Sequence, residues 1–201
     1  MEDAAEGAVW VALKHSENEE TNKFWPGKQF ELVHRVSLLR GGDSLRSDIF
    51  IKNTSDKEDL TNVQLCFHTY FAVSSIANVS VQGLKQLSFV DKVHGGTDLV
   101  EHSDGLTINE EVDRIYTSAP DTIVLRDGSR TIAITKENMG DIVVWNPWAE
   151  KSAGMGDLPN DGYQHFVCIE PVSLSNAHHI APNHTVHLSQ TLALGDSRSM
   201  L

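Results

Sequence analysis

Basic residues are scarce in this chain: 16 lysines and arginines stand against 28 aspartates and glutamates, for a formal charge of −12. Nucleic acid and anionic membranes both need a basic face, so neither fits as the main partner. Cysteine is scarce as well. Cys66 and Cys168 are the only two, too few for a disulfide framework. Both lie in apolar runs, which predicts buried free thiols in a reducing, cytoplasmic setting. No apolar run reaches the length of a membrane-spanning helix. The acidic start Met1-Glu2-Asp3-Ala4-Ala5-Glu6 lacks the basic-then-apolar order of a signal peptide. A dinucleotide fingerprint, a P-loop and a nucleophile-elbow serine are also missing, as is any long amphipathic helix.

What the chain does have is alternation with period two. Val9, Val11 and Leu13 alternate with Trp10, Ala12 and Lys14; Phe30 to Leu38, Leu45 to Ile51, Ile123 to Leu125, Ile132 to Ile134, Ile142 to Val144 and His184 to Leu194 repeat the pattern. Such segments read as half-buried antiparallel strands. Turn signals separate them, and Asp127-Gly128 between two apolar runs predicts a hairpin. About ten short strands of this kind imply an all-β sandwich or barrel, one domain over residues 1–201. The first strand opens without any covering element, so its edge needs a partner. The longest turn-rich stretch, Gly154 to Gly162, is a natural lid or substrate-facing loop.

The candidate chemistry starts in Leu65-Cys66-Phe67-His68-Thr69-Tyr70-Phe71. Read as a strand, this puts Cys66, His68 and Tyr70 on one face and Leu65, Phe67, Thr69 and Phe71 on the other. An imidazole among such neighbours is either a partly desolvated proton carrier or a hydrogen-bonded core residue. Downstream, Phe166-Val167-Cys168-Ile169-Glu170-Pro171 carries a single carboxylate. His68 and Glu170 form an acid/base pair if the fold joins them. Asp113 is either a sugar-hydroxyl acceptor or a solvated strand acid. In Trp145-Asn146-Pro147-Trp148 the indoles are either a flat face for a sugar ring or core plugs, and Asn146 either caps the turn or contacts a ligand. His178, His179, His184 and His187 match no standard zinc spacing.

In this order, Phe67-His68-Thr69-Tyr70-Phe71, Glu111-Val112-Asp113-Arg114-Ile115-Tyr116, Val143-Val144-Trp145-Asn146-Pro147-Trp148 and Val167-Cys168-Ile169-Glu170 resemble the glucose-6-phosphate 1-epimerases (hexose-6-phosphate mutarotases) of the galactose-mutarotase-like group. The resemblance runs from about Trp10 to about Leu194. It implies a large antiparallel β-sandwich with a sugar in a cleft on one sheet, and a monomer acting on a small sugar phosphate. By the same resemblance His68 and Glu170 are catalytic, Asp113 binds substrate, and neither a metal nor an organic cofactor is needed. Trp145 and Asn146 are the further substrate-binding candidates. Gly-Gly-Ile-Pro-like and His-Gly-Phe-Ala-Arg-like segments of the family, which supply phosphate-binding arginines, have no match in Met1 to Arg40, so the chain reads as an N-terminally shortened form. Arg35, Arg40, Arg46 and Arg114 are present without an assigned role. A sugar-binding sandwich without turnover, an epimerase of unphosphorylated sugars and a strand-recruiting interaction module are the competing readings.

Overall fold

The structure, a computed structural model, describes residues 8–39 and 41–196. Along the chain it runs β1 (Val9–Ser16), α1 (Glu19–Phe24), β2 (Phe30–Leu38), β3 (Ser44–Asn53), β4 (Leu60–Val63), β5 (Tyr70–Ala72), β6 (Val79–Gln82), β7 (Ser88–Asp91), β8 (Leu99–Val100) and β9 (Gly105–Leu106). It continues through β10 (Val112–Tyr116), β11 (Thr122–Asp127), β12 (Arg130–Glu137), β13 (Asp141–Asn146), α2 (Trp148–Ala153), β14 (Phe166–Val172), β15 (His178–Ile180) and β16 (Thr185–Asp196). Every strand pairing is antiparallel. Among the described residues no helix is long and apolar enough to cross a membrane.

An eight-stranded sheet, ordered β1-β2-β3-β16-β12-β11-β6-β9, packs on a six-stranded sheet, ordered β5-β14-β13-β10-β7-β8. This is the β-sandwich that the alternation predicts. Val81, Ile123, Leu125 and Ile134 of the first sheet meet Tyr116, Ile142, Val144, Val167 and Ile169 of the second. Each of these nine is almost fully buried, and burial of one such aliphatic side chain is worth roughly 1.5–3 kcal/mol. A second core gathers Phe30, Ile49, Ile51 and Leu188 under the small β15-β4 pair, with Leu60, Val63 and Ile180.

Two local predictions can be read directly. Asp127 pairs with Arg130 across a two-residue loop, and Gly128 takes φ +61° at its first position, as a tight hairpin turn requires. β1 is an edge strand, and Val9, Trp10, Val11 and Leu13 are all exposed on it. The strand expected at 65–71 is a correction: only Tyr70–Ala72 is regular, and Cys66 makes an isolated bridge to Val172. The hydrogen bond from Thr69 N to Phe67 O closes a three-residue turn centred on His68 and interrupts the ladder there.

Candidate active site

Register brings His68 and Glu170 together. Tyr70 pairs with Cys168 and Cys66 bridges Val172, so the residue midway, His68, falls opposite Glu170, midway on β14. Directly opposed residues of an antiparallel pair lie on one face within side-chain reach. Because the interruption at His68 adds no residue, the predicted alternation survives it: Cys66, His68 and Tyr70 share the outer face. Phe71 joins the core between the sheets, and Leu65 and Phe67 pack against the second core.

His68 Nδ1 lies 3.1 Å from Glu170 Oε1. The Cys66 thiol donates to the other carboxylate oxygen, Oε2, at 3.2 Å. Glu170 is only 8% exposed, whereas His68 is 54% exposed, so the desolvation expected at the imidazole falls on the carboxylate instead. Burial pushes the Glu170 pKa above the ordinary carboxylate value, and the Asp113 charge adds to the rise. The Cys66 hydrogen bond, His68 and Lys92 oppose it. Burial and the neighbouring carboxylate push the Cys66 thiol up to about 12, so it stays protonated and remains a donor.

The imidazole is held by rings. Tyr70 stacks on it with centroids 5.0 Å apart, and Trp145 meets it edge-on at 6.1 Å. Trp145 faces the cleft because it alternates with the buried Val144 and Asn146 on β13. Asp113 is its partner on β10, and Lys92 Nζ lies 3.2 Å from Asp113 Oδ2. Together with Ile115, Val143, Val172 and Leu174, these residues line a cleft of about 290 Å³ on the outer face of the six-stranded sheet. His68, Glu170, Asp113 and Trp145 are thus gathered in one place.

Other expectations are corrected. Asn146 is fully buried on the opposite face of β13; its amide donates to the Tyr163 and Phe166 carbonyls and its oxygen accepts from Trp148 N. It caps the turn and does not reach the cleft. Trp148 packs against the core and touches Tyr163 at 5.1 Å, as the core reading has it, whereas Trp145 lines the cleft. No residue of 154–162 lines the cleft, against the expected lid. Cys168 is buried as expected, whereas Cys66 is exposed as a residue with only its thiol partly covered.

The arginines are engaged elsewhere. Arg35 and Arg46 bind Asp48, and Arg46 also binds Glu137. Arg114 points from β10 toward Glu101 and Asp91 on the core side. Arg40 lies outside the described residues. Among the lysines and arginines described, Lys92 alone lines the cleft. The downstream histidines are dispersed: His179 meets Asp59, His184 the Pro182 carbonyl and His187 Asp48.

Sequence reading missed Lys92, Cys66 and Gln190. The buried Gln190 of β16 hydrogen-bonds Thr69, next to His68, from the other sheet. A polar residue between Leu188 and Leu192, on the inward face of an otherwise apolar strand, was the available signal.

A family model described as Aldose 1-epimerase matches residues 2–192. A Cenchrus ciliaris protein named "Putative glucose-6-phosphate 1-epimerase" is 36% identical over 159 residues, 78% of this chain and 47% of that protein. An Escherichia coli protein of the same name is 36% identical over 187 residues, 92% of this chain and 60% of that protein. The crystal structure of a "putative mutarotase" from Salmonella typhimurium superposes with a TM-score of 0.83 at 28% identity, covering 96% of this chain and 63% of that one. The chain therefore spans between about half and two thirds of the length of these relatives.

Proposed function

The chain belongs to the aldose 1-epimerase family, and on that premise we propose that it interconverts the α and β anomers of a hexose, with glucose 6-phosphate as the substrate. The observation that carries the reading is the 3.1 Å contact of His68 with Glu170 on the floor of a sugar-sized cleft.

Anomerisation opens and recloses a hemiacetal, which needs one proton taken from the C1 hydroxyl and one given to the ring oxygen. Glu170 takes the first. Each carboxylate oxygen has a lone pair beyond those engaged by His68 and Cys66, so a sugar hydroxyl can still be accepted. Burial makes the carboxylate a stronger base than a free one. His68 turns Nδ1 to Glu170, which leaves Nε2 for the ring oxygen. The pair sits in direct contact, so the C1–O5 edge of the sugar lies over both groups rather than between them. The open aldehyde rotates about C1–C2 and the two groups exchange roles on reclosure. Asp113 accepts from ring hydroxyls, and Trp145 offers an apolar face. The names of the 36% identical relatives support the phosphorylated substrate, and Lys92 is the cleft cation placed to meet its charge.

The test is a coupled anomerisation assay with β-glucose 6-phosphate and β-glucose. Wild type is expected to act on the phosphate ester, and Glu170→Gln to lose on the order of 10²–10⁴-fold in kcat. Equal rates for the two proteins would remove Glu170 from the mechanism. Sugar-dependent tryptophan fluorescence without turnover would favour a binding module.

A further inference from the structure

We infer that His68, Cys168 and Glu170 form a binding site for a thiophilic divalent cation, zinc above all. A ring nitrogen of His68, the Cys168 sulfur and a Glu170 oxygen all lie within 4.8 Å of one another. The cause is again register. Cys168 and Glu170 are two apart on β14 and share a face, and His68 lies opposite Glu170.

Zinc binds nitrogen, oxygen and sulfur at roughly 2.0–2.3 Å, so tetrahedral ligands stand about 3.4–3.6 Å apart. The His68–Glu170 separation, 3.1 Å, is already close to that. The sulfur, within 4.8 Å of the other two atoms, has at most about 1.4 Å to close, within reach of side-chain rotations. Three protein ligands leave one position for water or a sugar hydroxyl, as in zinc sites with an exchangeable ligand. A thiolate beside an imidazole selects zinc over magnesium or calcium, which prefer all-oxygen shells. Coordination ejects the thiol proton of Cys168 to solvent. The Cys66 thiol remains bonded to the second Glu170 oxygen, the kind of outer hydrogen bond that orients a ligating carboxylate.

The bound cation occupies the lone pairs that proton transfer needs, so zinc inhibits; this consequence rests on the mutarotase reading, whereas the binding does not. The experiment titrates the full chain with zinc chloride by calorimetry and with cobalt chloride by absorbance, with the mutarotation rate followed in parallel. Expected are one equivalent of zinc, a near-ultraviolet thiolate-to-cobalt band, and inhibition that EDTA reverses. Cys168→Ser should abolish the band, and both Cys168→Ser and His68→Ala should weaken zinc binding on the order of tenfold or more. His179→Ala and His184→Ala, both outside the trio, should bind as wild type does. No binding, a cobalt spectrum without the thiolate band, or zinc affinity that survives both ligand substitutions overturns the site. His68→Ala changes a half-exposed ring, so its result does not hinge on repacking beneath the cleft. A chain that binds zinc through the thiolate yet never mutarotates keeps the site and defeats the proposed function. An active chain indifferent to zinc does the reverse.

Discussion

The side-chain amide of Gln190 hydrogen-bonds Thr69 Oγ1 at 2.9 Å, spanning the space between the two sheets. Gln190 is almost fully buried on the inner face of β16, and Thr69 follows the residue that carries the imidazole. The turn at His68 interrupts the ladder, so this contact, beside the packing of Phe67 on the second core, helps tie it to the eight-stranded sheet. Gln190→Leu keeps the volume but leaves the Thr69 hydroxyl only a long 3.4 Å bond to the Phe67 carbonyl. Loss of a buried partner costs about 1–3 kcal/mol, to be read as a lower urea midpoint. Mutarotation should fall through kcat rather than KM, because the imidazole is misplaced while the hydroxyl-binding groups are untouched. Gln190→Glu, which can still accept from Thr69, should restore part of kcat.

Glu170 trades stability for basicity, and the sign can be worked out. Burial raises its folded-state pKa above the unfolded value. The stability linked to the protonated acid is therefore fully present below the unfolded pKa and is lost as pH rises through the folded pKa. Glu170→Gln removes that titration, so the melting temperature of the variant should gain on wild type from pH 4 to pH 8. The same shift places the acid limb of kcat/KM above the ordinary carboxylate range. Cys66→Ala removes a hydrogen bond that holds the pKa down, and its acid limb should move further up. A limb unmoved by Cys66→Ala would show that the thiol does not act on the base.

The sandwich was legible because period-two alternation survives wherever one face is buried and the other is less so, as on β11 and β13. The pairing of His68 with Glu170 was anticipated from one acid and one imidazole in apolar surroundings. Their direct contact was not, since it depends on the shared register of Tyr70–Cys168 and Cys66–Val172, which no local pattern encodes. Asn146 failed as a ligand for a related reason. Parity from Trp145 puts it on the inward face, where three backbone groups claim its amide. Lys92 escaped notice because a lysine after a strand resembles any solvated charge until Asp113 is placed 3.2 Å away.

On the outer face of the eight-stranded sheet, Asp48 is only 1% exposed and meets Arg35, Arg46 and His187. Burial alone would raise its pKa, but the bonds from Arg46 and His187 and the arginine charges outweigh it and hold the carboxyl below its ordinary value. Stability from this group is present above the unfolded pKa and is lost as pH falls through the folded one. Asp48→Asn removes the carboxylate charge that Arg35 and Arg46 share, while Arg46 keeps Glu137; a hydrogen bond to a charged group is worth about 1.5–3 kcal/mol. Chemical denaturation at pH 7 should show a loss approaching that size, shrinking as pH falls below 4. A difference constant with pH would mean that the ionised form is not what Asp48 contributes.

Lys92 is the residue on which the choice between a phosphorylated and a free sugar can be tested. Its side chain is half exposed at the cleft, 3.2 Å from Asp113. An ammonium facing a phosphate is worth about 1.5–3 kcal/mol as a charge-assisted hydrogen bond, or roughly tenfold to a hundredfold in kcat/KM. Lys92→Met should lower kcat/KM for glucose 6-phosphate by that much, chiefly through KM, and leave glucose within a few-fold. Lys92 also holds the Glu170 pKa down, so the variant should raise the acid limb of the pH profile with both sugars. That common shift reports the loss of a charge near the base. The substrate-specific loss, measured at a pH above both limbs, reports contact with the phosphate. Equal losses on the two substrates there would place the phosphate away from Lys92.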